Sequence, residues 1–146
     1  MRIDPSDIKD ICLFKYYRLV RKWAAKSYGL TEANLELLIY LESEKYFTRQ
    51  DFMDGQLAYS WDKKRWEMLR REGWIDIWRE RNRSTRMFNV YSVSLKTKIM
   101  TNRIYKILLG QEDMPKTERN VFYRGKSYSD KVYSKAVDLM MKDEKR

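Results

Sequence analysis

The spacing of apolar residues changes twice along this chain, and that change limits the fold more than any other feature. Residues 6 to 73 repeat their apolar positions every three or four residues, as helices with a buried face do. The next stretch does not. Trp74-Ile75-Asp76-Ile77-Trp78 and Met87-Phe88-Asn89-Val90-Tyr91-Ser92-Val93 are rich in the aromatic and β-branched residues that suit a pleated strand. From Leu95 the helical spacing returns. Five glycines and two prolines in 146 residues leave few places to turn. The pattern therefore predicts one domain over 1–146, mainly α-helical, with a single small β-hairpin whose tip is the polar run between Arg79 and Arg86.

The helices can be read individually. Ser6 is placed as the N-cap of a helix over 6–27, along which Ile8, Ile11, Cys12, Tyr16, Leu19, Val20 and Trp23 form a stripe widened by Leu13, Phe14 and Tyr17. An apolar surface that wide needs a second partner, and in a small protein that partner is often another subunit. Thr31 caps a core helix carrying Leu35, Leu37, Leu38, Ile39 and Leu41. Thr48 with Asp51 three residues on opens a short helix closed by Gly55, and Ser60 opens another that runs to Gly73 with Trp66 and Leu69 inward. A helix over about 95–109, with Ile99, Met100, Ile104, Ile107 and Leu108, stops at Gly110. The last, from Ser129 to about Lys142, aligns Val132, Tyr133, Ala136, Val137 and Met140. The segment from Met114 to Lys126 reads either as a phosphate-contacting extension, through Lys116, Arg119, Arg124 and Lys126, or as a loop lying on a partner subunit, and the second is preferred because Phe122, Tyr123 and Tyr128 need burial.

The formal net charge is +10, and its distribution says more than its total. Residues 31–59 alone are acidic, at −4, while 1–30, 60–86 and 116–146 each carry +4. Such an excess on particular segments suits a polyanion, nucleic acid before an anionic membrane surface. With no apolar run near the length of a membrane span and no apolar leader after Met1, the chain is expected to be soluble and cytoplasmic. Zero histidines and one cysteine remove the commonest metal ligand, the commonest general base and any internal disulfide. No metal, cofactor or catalytic residue is assigned, and an enzyme is the least favoured class. Cys12, on an apolar helix face, reads as packing rather than a redox sensor.

Helix, helix, two helices joined by a short turn, and a basic hairpin make the order of a winged helix-turn-helix. In such proteins the second helix of the motif enters the major groove with its N-terminal residues on base edges. On that logic Ser60, Trp61, Lys63, Lys64 and Arg65 face double-stranded DNA, with Lys64 or Arg65 suited to guanine O6 and N7. Thr48, Arg49 and Gln50 open the preceding helix and join the DNA-facing set. Arg79, Arg81, Arg83 and Arg86 would reach phosphates or a narrow minor groove from the hairpin. The plainer reading of each set is a solvated helix start or a charge-protected edge.

Leu30-Thr31-Glu32 with Leu35, Leu38 and Leu41, then Thr48-Arg49-Gln50-Asp51-Phe52, Leu69-Arg70-Arg71-Glu72-Gly73-Trp74-Ile75 and Val93-Ser94-Leu95-Lys96 resemble the MarR (multiple antibiotic resistance regulator) family of winged-helix repressors. The resemblance implies a homodimeric transcription regulator. Its core would be 31–93, and helices over 6–27 and 95–142 would interlace with a second subunit through Ile8, Ile11, Phe14, Tyr17, Ile107, Val132, Tyr133, Val137 and Met140. The wing departs from the family's usual Asp-x-Arg, reading Arg81-Asn82-Arg83-Ser84-Thr85-Arg86. The strongest rival is a winged helix that docks on a transcription, replication or viral assembly through the acidic residues Glu32, Glu36, Glu42 and Glu44.

Overall fold

A computed structural model describes residues 4–10, 13–56, 64–81, 88–115 and 119–143, without the side chains of Ile8, Asp10, Leu13, Gly55 and Gln56. In chain order its elements are α1 (Pro5–Asp10), α2 (Leu13–Tyr28), α3 (Glu32–Glu44), α4 (Arg49–Gln56), α5 (Arg65–Arg71), β1 (Ile75–Arg79), β2 (Val90–Val93), α6 (Leu95–Leu108), α7 (Val121–Arg124) and α8 (Tyr128–Lys142). The described chain is thus mainly α-helical with one two-stranded antiparallel hairpin. None of the described helices is long and apolar enough to cross a membrane. The chain divides into two compact units, 31–102 and the pair of segments 1–30 and 103–146.

In the unit 31–102, α3 starts where Thr31 takes the Asn34 amide on its hydroxyl at 3.2 Å. Leu35, Leu37, Leu38 and Leu41 are all buried, so α3 presents apolar surface on more than one side. It ends in a strained turn: Lys45 has φ +69°, and the Tyr46 amide reaches back to the Glu44 carbonyl at 2.9 Å. That turn sends Phe47 alongside β2, where it exchanges two backbone hydrogen bonds with Tyr91, of 3.0 and 2.8 Å. α4 opens on a reciprocal cap. The Asp51 amide donates to the Thr48 hydroxyl at 3.1 Å, and the Thr48 amide to the Asp51 carboxylate at 3.0 Å. Contrary to expectation, α4 runs through Gly55 to Gln56.

Gly73 does close α5. At φ +82° it lets the Trp74 amide reach the Leu69 carbonyl and its own amide that of Arg70, a turn that a Cβ-bearing residue adopts only with strain. Trp74 then leads into the hairpin, in which Ile75 pairs with Val93, Asp76 with Ser92 and Ile77 with Tyr91, before a bulge that sets Arg79 against Val90. β2 starts three residues later than its aromatic run suggests. A ring cluster ties these elements together: Phe52 and Tyr91 meet Trp66 edge-on at 4.8 and 4.7 Å, and Phe47 meets it at 6.4 Å. The buried Thr97 hydroxyl donates to the Trp74 carbonyl at 2.7 Å and fixes the start of α6 to the hairpin.

In the other unit α2 packs on α7 and α8. The first helix is not placed as the sequence suggests. α1 begins at Pro5, because proline suits a first helical position, where no N–H is needed. The Asp4 amide bonds to the Asp7 carboxylate at 3.3 Å and the Asp4 carbonyl accepts from the Asp7 amide, so Ser6 lies inside the helix and is not its cap. α7 was not anticipated. Asn120, fully buried, caps it by accepting the Phe122 amide at 3.0 Å and donates to the Pro115 carbonyl at 2.9 Å. Phe122 is buried against Tyr133 at 4.9 Å and Tyr123 is partly buried, whereas Tyr128 is 84% exposed, so the segment covers only part of its aromatic surface within the chain. Tyr123 donates to Asp138; burial first, and then that carboxylate, push its hydroxyl up to about 12.

Candidate nucleic-acid interface

The described cations of the unit 31–102 include exposed ones at α4, α5 and the hairpin, besides Lys45 after α3 and Lys96 and Lys98 on α6. Arg49, Lys64, Arg70, Arg71, Arg79 and Arg81 are all exposed. Capping of α4 leaves Arg49 and Gln50 on its first turn, where the Gln50 amide donates to Asp54 at 2.9 Å. The Thr48 hydroxyl is engaged in the cap itself, which makes it a positioning group for α4. Arg70 lies over the Tyr91 ring at 5.0 Å, a contact that holds its guanidinium beside the aromatic cluster. Arg71 is on the last turn of α5, favoured there by the negative end of the helix dipole.

Arg65 requires a correction. It is only 4% exposed, on the side of α5 that also buries Trp66 and Leu69. A side chain enclosed in this way does not reach a base edge, so its assignment to the groove is withdrawn. Ser60, Trp61, Lys63, Arg83 and Arg86 lie outside the described residues. Trp66, read as inward, is buried, and so is Trp74.

One surface feature escaped sequence reasoning. Tyr46 and Trp78 are 52% and 43% exposed, yet their rings pack 4.1 Å apart, and the Arg79 guanidinium sits 4.4 Å from the Trp78 ring. Trp78 is next to the bulge between Ile77 and Arg79, and Tyr46 follows the strained Lys45. These positions are far apart in sequence, and only the Phe47–Tyr91 pairing brings them together. The same unit also has an acidic side: Glu44, Asp51 and Asp54, with Tyr40 and Phe47, line a cleft of about 310 Å³. Among the described residues no group of side chains could hold a metal ion.

The candidate dimer residues divide. Ile107, Val137 and Met140 are fully buried within their unit, which removes them from any intersubunit surface. Helical geometry explains the error: α8 has two apolar stripes, and Val137 and Met140 belong to the inner one with Tyr133, which is partly buried. The outer stripe is Tyr128, Val132 and Leu139, at 84%, 45% and 67% exposure. Phe14, 75% exposed, and the half-buried Tyr17 meet edge-on at 6.1 Å on α2. Ile11 and the side chain of Ile8 lie outside the described set.

No protein-family model, no curated protein and no solved structure matches this chain.

Proposed function

We propose that the chain is a winged helix-turn-helix protein that binds double-stranded DNA and regulates transcription as a homodimer. The observation that carries this reading is one compact unit in which α3, α4, α5 and an antiparallel hairpin follow one another, with exposed cations on α4, α5 and β1. Lys64, at the start of α5, is the described residue best suited to the groove. Arg70 and Arg71 suit the phosphates beside it, and Arg79 and Arg81 lead toward the wing. The Tyr46–Trp78 pair supplies a rigid base from which Arg79 extends. Dimerisation would use Phe14 and the outer stripe of α8.

Selection from a random duplex library at about 150 mM salt, where only contacts inside a Debye length survive, tests the reading. A palindromic site should be enriched by the wild type and lost by the Lys64→Ala/Arg71→Ala variant. No enrichment, or equal enrichment by both, contradicts sequence-specific recognition. The acidic cleft beside Phe47 favours a second reading, a winged helix docking on a transcription, replication or viral assembly. Under it, Glu44→Lys abolishes partner capture and leaves DNA affinity unreduced.

A further inference from the structure

Within the unit formed by 1–30 and 103–146, a cleft of about 540 Å³ gathers three arginines, Arg103, Arg119 and Arg124, beside Trp23 and Tyr28. Among the described residues of its lining, Asp113 is the one carboxylate beside the three arginines. In a chain of net charge +10, three arginines gathered at one cleft make it a favourable place for an anion. The arrangement is held in place. Arg103 lies 5.2 Å from the Trp23 ring, and its Nε, shut off from solvent, faces the Glu112 carboxylate at 3.6 Å. Buried Asn120, next to Arg119, accepts the Phe122 amide at the start of α7, on whose last residue Arg124 stands. Arg119 and Arg124 are exposed, and neither enters an ion pair among the described residues.

We propose that this cleft is a binding site for a small organic phosphate monoester with a planar body, of the size of a mononucleotide. A phosphomonoester dianion is attracted by the three arginines, and the guanidinium fork matches phosphate oxygens two at a time. A bare phosphate would leave most of the cleft empty, since sites of roughly 300–1,000 Å³ are of a size for whole metabolites. Tyr28, partly exposed and edge-on to the buried Trp23 at 6.4 Å, gives the body an aromatic neighbour in the lining. The described lining residues all belong to the unit formed by 1–30 and 103–146, and the proposal does not depend on how the unit 31–102 is used.

Calorimetric titration of the full chain with adenosine 5′-monophosphate, inorganic phosphate and adenosine tests it. The monophosphate should bind at least about tenfold more tightly than either fragment, a difference of roughly 1.4 kcal/mol. The Arg119→Gln/Arg124→Gln variant, altered only at exposed positions, should lose about tenfold or more. A Lys131→Gln/Lys135→Gln control, with the same charge removed from the exposed side of α8, should bind as the wild type does. The proposal is overturned by absence of heat with the monophosphate at about 1 mM, by unchanged affinity in the arginine variant, or by equal losses in variant and control. A wild type indifferent to all three probes, with duplex-DNA binding lost in the arginine variant, would give the cleft to the nucleic-acid backbone instead.

Discussion

Asp130 shows how much one side chain can organise. Ser127 caps α8 by accepting the Asp130 amide at 3.1 Å, while the Asp130 carboxylate pairs with Lys26 on α2. The Lys26 hydrogen bond, and after it those from Ser127, hold its carboxyl below the usual carboxylate range. The sign follows directly. A group with a lower pKa in the folded state adds stability above its unfolded value, near 3.9, and loses it as pH falls through the folded value. Thermal scans should therefore show Asp130→Asn melting below the wild type at pH 6, with the gap closing below about pH 4. A gap constant across that range would mean that the ion pair is not responsible. Gly125 is the second control on the same contact, since a Cβ there would stand 1.9 Å from the Asp130 carboxylate oxygen. Its φ of −79° is ordinary, so space alone is at issue. Gly125→Ala should lower the melting temperature, and Gly125→Ala/Asp130→Ala should recover part of the loss. Without that recovery, the close approach of Gly125 to Asp130 does not set the cost.

Among the elements, α8 separates stability from association. Met140→Ala on the inner stripe should cost about 2–5 kcal/mol in urea unfolding, the range for emptying a fully buried site. Val132→Asp with Leu139→Asp on the outer stripe should leave unfolding nearly unchanged and convert a dimer to a monomer in sedimentation. A variant that unfolds instead would place the outer stripe in the protomer's own core. α4 offers a smaller test of local order. Asp51→Ala removes one half of the cap and should cost about 1 kcal/mol. Its effect on any DNA affinity should come through the placement of Arg49 and Gln50, so Asp51→Asn, which keeps an acceptor, should restore both.

At the scale of the whole molecule, a net charge of +10 makes ionic strength the most informative variable. If the exposed cations of the unit 31–102 meet phosphates, log affinity for duplex DNA should fall linearly with log salt, by roughly 0.9 for each phosphate neutralised. Lys64→Ala with Arg71→Ala should reduce that slope by about two per protomer. Arg65→Met, at a buried position, should leave the slope alone and act through stability. An unchanged slope in the first variant would remove α5 from the interface.

The sequence by itself determined the elements whose signals are local. Thr31, the Thr48–Asp51 pair and Gly73 fixed helix ends because caps and left-handed turns depend on a few neighbouring atoms. The change of period around Trp74 located the hairpin for the same reason. The start of α1 was missed although its signal was local, Pro5 following Asp4. What only tertiary structure decided is which side of each helix faces inward when both sides are apolar or mixed. Periodicity gives Val132 and Val137 equal weight on α8, and packing against α2 and α7 buries one and leaves the other exposed. Arg65 reads as an exposed cation in any local window, but shares its face of α5 with Trp66 and Leu69. The Tyr46–Trp78 pair and the three-arginine cleft join positions up to about a hundred residues apart, and no pattern of period two or 3.6 carries that information.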